Sequence, residues 1–160
     1  MKKINYKKLL ISLAIPQLAG LLGSVANFSS IGTWYVTLEK PVFNPPNWIF
    51  GPVWTLLFLL MGVALYLVWD HRVIFHKHKV DHAIEVFLLQ MILNVLWSWL
   101  FFGAKMPLWA FGEIVILWGA ILWNIIVFYR VRKWAGYLLI PYIVWVSFAI
   151  VLNFSLWWLN

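Results

Sequence analysis

Glu113 is the one carboxylate set well inside an apolar run of this chain, and an ionisable side chain at that depth is a functional candidate by default. Trp109 stands one helical turn before it, and Ile116, Ala120 and Asn124 continue the expected face. A second line runs through Gln90, Asn94, Trp97 and Ser98, at offsets of four, seven and eight residues, which is one side of a helix. Trp145, Ala149, Leu152 and Asn153 form a third line, and Gln17, Gly20, Ser24 and Asn27 a fourth. In hydrocarbon such side chains turn towards the bundle interior, where they either hydrogen-bond neighbouring helices or line a cavity. Tryptophans at 54, 97, 118, 123 and 145 lie too deep for an interfacial belt, so they serve helix packing or a pocket. Together the four stripes predict an aromatic internal cavity.

The remaining inventory excludes most catalysis. Cysteine is absent, which removes disulfides, thiol nucleophiles and thiolate metal sites. Glu113 has no second deep carboxylate to pair with, which argues against a two-carboxylate hydrolase or a proton relay. There is no phosphate loop, nucleophile elbow, metalloprotease helix or dinucleotide fingerprint. All four histidines, His71, His76, His78 and His82, crowd one connection with Asp70 and Asp81. His78 and His82 have the spacing of a metal pair. With no well-spaced third ligand, the segment reads as a solvated loop and no metal site is expected.

These residues need elements to hold them. The chain has 160 residues, enough for one domain, and 64% of them are hydrophobic, against about half in a soluble globule. With a mean hydropathy of +0.88 and only 11% charged residues, the fold class is all-α integral membrane. Five runs are long enough to cross a hydrocarbon core that needs roughly 20 apolar residues; they cover about 9–28, 48–69, 83–102, 108–129 and 136–159. Lys2, Lys3, Lys7 and Lys8 before the first run, with Ser24-Val25-Ala26 near its end, also resemble a signal peptide, but the run is long for one. Arg72, Lys77, Lys79, Arg130, Arg132 and Lys133 fall on the same side as the N-terminal lysines, leaving Lys40 and Lys105 on the other. The positive-inside rule then places the N-terminus in the cytoplasm, with the C-terminus and first loop outside. The net charge of +7 accordingly serves lipid headgroups and topology, not nucleic acid.

No internal repeat is visible, and an odd number of spans weakens the case for a rocking transporter of symmetric halves. Trp48, Trp69, Trp109, Trp134, Trp157 and Trp158 fit interfacial belts near span ends. Pro16 and Pro141 are expected to kink their helices, and Ala19, Gly20 and Gly23 to admit a close neighbour. Between the first two spans lies a stretch, Trp34 to Trp54, that holds four of the seven prolines: Pro41, Pro45, Pro46 and Pro52. Proline fixes its own φ and restricts its predecessor, so this loop should be stiff and act as a lid.

The loop Trp34-Tyr35-x-x-Leu38-x-Lys40-Pro41-x-Phe43-Asn44-Pro45-Pro46-x-Trp48, with Gly51-Pro52-Val53-Trp54, closely resembles the translocator protein family. Its members are also called peripheral-type benzodiazepine receptors or, in bacteria, tryptophan-rich sensory proteins. Asn94-x-x-Trp97 leading to Phe101-Phe102-Gly103, Trp109-Ala110 with an acid at Glu113, and Pro141-Tyr142-x-x-Trp145 through Leu152-Asn153 extend the match across nearly the whole chain. The resemblance implies a five-helix bundle, often a homodimer, in a bacterial cell membrane, with a cavity capped by the first loop. It implies tetrapyrrole ligands of the protoporphyrin IX type, with no required cofactor, and synthetic benzodiazepine-site ligands. The pocket positions carried over are Tyr35, Trp54, Asn94, Trp97, Ser98, Trp109, Glu113, Trp145, Ala149 and Leu152, with Trp34, Pro41, Pro45 and Pro46 in the lid. Ser98 stands where many members have proline, which implies a straighter third helix. Glu113 replaces the more usual aspartate, and Phe154-Ser155-Leu156-Trp157-Trp158 lacks the tyrosine and basic residue of the animal sterol motif. Three functions follow as expectations: tetrapyrrole binding for transport or stress signalling, light-dependent porphyrin oxidation with Trp54 and Trp145 as catalytic candidates, or non-catalytic regulation of a partner.

Overall fold

Asn5 starts the first helix by accepting the Lys8 backbone N–H on its side-chain oxygen at 3.1 Å, which satisfies one donor the helix itself leaves open. From there α1 runs over Tyr6–Ser30. The computed structural model describes residues 4–71 and 77–160, so Lys2, Lys3, Arg72 and His76 lie outside the described residues. A loop holding a short 3₁₀ turn at Tyr35–Thr37 leads to α2, Asn47–Asp70. Next come α3, Lys77–Ser98, closed by a π-helical turn at Trp99–Gly103, and α4, Pro107–Val131. The last crossing is made by α5, Lys133–Tyr137, and α6, Ile140–Leu159. Among the described residues, five segments are thus long and apolar enough to span a membrane, and the fold is all-α and integral to it.

The helices close into a ring: α1 packs on α2 and α3, α3 on α4, α4 on α5 and α6, and α2 on α5. The half of the ring nearest the start of α1 is solid. Met61, Ala64, Leu65 and Val68 meet Val80, Ala83 and Phe87 there, and Phe87 stacks on Phe128 at 5.7 Å. The other half holds a separate cluster of Tyr35, Phe101, Ala110, Leu152 and Leu156, under the first loop. That loop shares its face with the chain's last residue: Asn160 accepts the Glu39 N–H at 2.9 Å and donates to the Glu39 carbonyl at 3.1 Å.

Three local features differ from the sequence reading. The third helix begins at Lys77, well before position 83, because the polar Lys77–His82 stretch extends the helix beyond its apolar part. It also does not run straight on past Ser98, since the backbone widens into the π turn, with the Ala104 N–H reaching back to the Trp99 carbonyl at 2.7 Å. The fifth crossing starts at Lys133 and is broken before Pro141, which has no N–H to continue the ladder; the Leu138 and Leu139 N–H groups bond the carbonyls of Trp134 and Gly136 instead. Pro16, by contrast, sits inside an unbroken α1. Its missing N–H frees the Ser12 carbonyl, and Gly62 of α2 packs against that spot: a Cβ at Gly62 would fall 2.9 Å from the Ser12 oxygen and 2.8 Å from Leu13 Cα. Glycine there is a requirement of the α1–α2 contact.

Candidate ligand-binding site

Beneath the first loop the ring encloses a cavity of about 520 Å³, inside the roughly 300–1,000 Å³ range of small-molecule sites. α1 supplies Gln17, Gly20, Ser24 and Asn27, the whole stripe read from its spacing. α2 supplies Phe50, Trp54 and Phe58; α3 supplies Asn94, Trp97 and Ser98, with Phe101 and Phe102 from the π turn. α6 supplies Trp145, Ala149, Leu152 and Asn153. The aromatic rings brace one another. Trp54 stacks on Phe58 at 5.5 Å, Trp97 stacks on Phe101 at 5.4 Å, and Trp145 meets Phe50 edge-on at 5.9 Å. Each indole also meets a second ring, Tyr142 for Trp54, Phe102 for Trp97 and Phe148 for Trp145, and these neighbours limit its rotation.

Polar side chains bind α3 to α6. The Trp97 indole N–H donates to Asn153 Oδ1 at 3.0 Å, and the Asn153 amide donates to the Pro107 carbonyl at 2.8 Å. The Asn94 amide donates to Tyr142 Oη at 2.8 Å. Both readings of these polar residues hold together, since Asn94 and Asn153 join helices and line the cavity. On the α1 side, a Cβ at Gly23 would lie 3.1 Å from Ser98 Oγ and one at Gly20 would lie 2.4 Å from Phe58 Cε2, so these glycines set how closely α1 approaches.

The roof is built by the loop. Tyr35 is buried, donates from its hydroxyl to Asn44 Oδ1 at 2.9 Å, and packs on Phe101 and Phe102. Burial raises its phenol pKa above the ordinary 10.0, with the Asn44 bond opposing in part. Lys40 Nζ lies 4.9 Å above the Tyr35 ring and donates to the Leu38 carbonyl at 3.1 Å. Trp34 sits edge-on to Phe101 at 5.7 Å without reaching the cavity wall. Pro41 opens a turn closed by the Asn44 N–H at 2.9 Å, and Pro46 caps α2 by accepting from Ile49 at 3.0 Å. Pro41, Pro45 and Pro46 thus shape the loop's path, and none lines the cavity. The open side lies between the outer halves of α1 and α2, where Phe28 and Trp48 line the cavity yet are 84% and 73% exposed.

Two expected positions fall elsewhere. Trp109 is 66% exposed, and Glu113, though only 7% exposed, does not line the cavity. No residue of α4 does, because the Trp97–Asn153 and Asn94–Tyr142 bonds draw α3 and α6 together between α4 and the cavity. The expected α4 face also divides: Glu113, Ala120 and Asn124 are buried, but Trp109 and Ile116 sit at its edge and face outward, so Trp109 belongs to the interfacial belt. Of the other deep tryptophans, Trp118 bonds Ser147 at 2.8 Å and Trp123 lies against His82 on the outer surface. Phe50, Phe58, Phe101 and Phe102 line the pocket beyond the residues that the stripes mark; Phe101 stands four residues after Trp97, a spacing that puts it on the same face. Among the described residues, no three histidine, aspartate or glutamate side chains stand close enough to hold a metal ion.

The fold defines an integral membrane protein with an aromatic-lined cavity inside its helix bundle. A family model described as the TspO/MBR family matches residues 12–159. The chain is 41% identical to the tryptophan-rich protein TspO of Archaeoglobus fulgidus over 157 residues, 98% of this chain and 99% of that one. It is 43% identical to the protein of the same name from Chlorobaculum tepidum over 141 residues, 88% of each. The human translocator protein is 36% identical over 124 residues, 78% of this chain and 73% of the relative. The chain belongs to the TspO/MBR family.

Proposed function

We propose that this protein binds a tetrapyrrole, or another flat hydrophobic molecule of similar size, in the cavity beneath its first loop, as a membrane translocator or sensor. The observation that carries the reading is the convergence of Trp54, Trp97 and Trp145 from three helices on one cavity of about 520 Å³. Relatives named translocator protein and tryptophan-rich sensory protein support the coarser role. The binding chemistry is burial of a planar apolar face against braced indoles, supplemented by stacking worth about 0.5–1.5 kcal/mol per aromatic pair. Asn94, Ser98 and the α1 stripe offer the few polar groups that orient a ligand's edge. The opening between α1 and α2 lets such a ligand arrive from the bilayer, where its concentration is highest. The N-terminus is assigned to the cytoplasm from the basic-residue bias, and two copies are assigned to pair within the membrane.

Titration with protoporphyrin IX in neutral detergent should quench tryptophan fluorescence saturably. In a Trp97→Phe, Trp145→Phe double variant the saturable component should shrink severalfold; quenching unchanged from wild type would refute this pocket. A second reading, light-driven oxidation of the bound porphyrin by dioxygen, is favoured by one observation: Trp54 and Trp145, the two redox-capable candidates, both line the cavity. Under illumination the porphyrin bands of the complex would then decay faster than those of free porphyrin in detergent. Equal decay would leave the protein a binder only.

A further inference from the structure

Glu39 lies between two turns of the first loop, one closed by the Thr37 N–H on the Trp34 carbonyl and one by the Asn44 N–H on the Pro41 carbonyl. Its own backbone has no partner within the loop. Asn160, which caps α6, supplies one: Oδ1 accepts the Glu39 N–H at 2.9 Å, and Nδ2 donates to the Glu39 carbonyl at 3.1 Å. A hydrogen-bonded pair in an antiparallel ladder makes the same two-bond exchange, here with a side-chain amide in place of one backbone. The second Nδ2 hydrogen goes to the Leu156 carbonyl at 2.9 Å, an acceptor that the helix end leaves open. Both donors and the oxygen of the carboxamide are therefore engaged, which an ionised aspartate, having no donor, could not match.

Among the described residues no other hydrogen bond joins this loop to α6, and Phe43, edge-on to Phe148 at 6.3 Å, adds an apolar contact. The loop is also more than a roof. Ile31, where it leaves α1, and Asn47, where it enters α2, line the cavity beside Phe28 and Trp48, so the loop forms the rim of the opening between those helices. Leu156, whose carbonyl anchors Asn160, lines the cavity from α6. The contact thus ties the rim to the α6 wall and limits how far the loop's two ends can part. Glu39 and Asn160 are both exposed, so water competes for the bonds and the contact can open and close without unfolding. We propose that the Asn160 carboxamide is a latch on the cavity, a role that rests on the cavity being the ligand site. Closed, it holds the loop against α6; open, it lets the rim part so that a ligand enters or leaves.

The test uses the full chain in neutral detergent with protoporphyrin IX as the probe. In Asn160→Ala, association and release followed by stopped flow should both quicken roughly threefold to tenfold, leaving affinity within about twofold of wild type. Damage to the cavity itself would instead weaken affinity through faster release alone. Asn160→Asp should behave as the alanine variant does. Ser155→Ala, which removes a hydroxyl bond to the Val151 carbonyl within α6, should leave both rates unchanged. Because the chain has no cysteine, a Glu39→Cys, Asn160→Cys pair can be oxidised without side reactions at other thiols. Oxidation should slow both rates severalfold, and dithiothreitol should reverse the effect in the same protein. Hydrogen exchange at the Glu39 amide, read without ligand, should quicken in Asn160→Ala by the same factor as the rates. Wild-type rates in the alanine variant, a cysteine pair that does not cross-link, or equal rates in its oxidised and reduced forms would each overturn the latch. Absence of saturable binding in wild type, with the Glu39 amide still protected, would refute the ligand site and the gate with it; intact binding with unmoved rates would refute the latch alone.

Discussion

Trp97 is oriented through a relay: its N–H is fixed by Asn153, which is fixed in turn by the first carbonyl of α4. This ring of the cavity wall is therefore positioned from two helices away, so its freedom is spent before any ligand arrives. Tyr35 plays the matching part in the roof. Its folded pKa lies above the unfolded 10.0 because burial disfavours the phenolate. The protonated roof is thus fully stable below about pH 10, and stability is lost as pH rises from the unfolded value towards the folded one. Tyr35→Phe should cost about 1 kcal/mol at neutral pH through the lost Asn44 bond, and should reduce the stability loss seen by thermal unfolding above about pH 10. A variant with the wild-type alkaline profile would contradict this. Glu113 sits at the other extreme, buried with neither carboxyl oxygen hydrogen-bonded among the described residues. Glu113→Gln removes no partner, so Tm should hold or rise, and porphyrin affinity should change less than twofold. A loss above about 1 kcal/mol would show that the carboxylate has an interaction the geometry does not contain.

At the scale of elements, the α1–α2 pair decides whether there is a cavity to fill. The two helices are pinned at Gly62 against Ser12 and Leu13, and their outer halves part around Phe28 and Trp48. Gly62→Ala places a methyl on backbone atoms that cannot swing aside, so the helices must separate at the pin. Destabilisation of roughly 1–3 kcal/mol is expected by thermal unfolding. Gly119→Ala is the control: a Cβ there meets nothing within 4 Å, and stability should be unchanged or slightly higher. Equal effects at the two sites would remove the pin from the account. Sequence reading reached the α1 stripe because spacing alone puts Gln17, Gly20, Ser24 and Asn27 together. It missed how α1 registers on α2. That Gly62 meets Ser12 and Leu13, opposite a carbonyl freed by Pro16, depends on how two helices register, which no pattern within one helix encodes.

For the molecule as a whole, apolar run length and the placement of basic residues made the five crossings legible, and the loop and helix motifs made the family legible. Periodicity assigned residues to helix faces but could not say which face sees the cavity. Glu113 is buried as its stripe implies, yet it lies behind the α3–α6 seam, because the ring order places α4 outside that pair. We propose that a ligand sits in the chamber under the first loop. Ala149 lines that chamber on α6, and Ala149→Trp would fill it from one wall. Protoporphyrin IX titration, read by the shift of the porphyrin absorption band, tests the claim most directly, with thermal unfolding to confirm that the variant is folded. A folded Ala149→Trp protein should bind at least tenfold more weakly than wild type, and binding undiminished by that substitution would contradict the account.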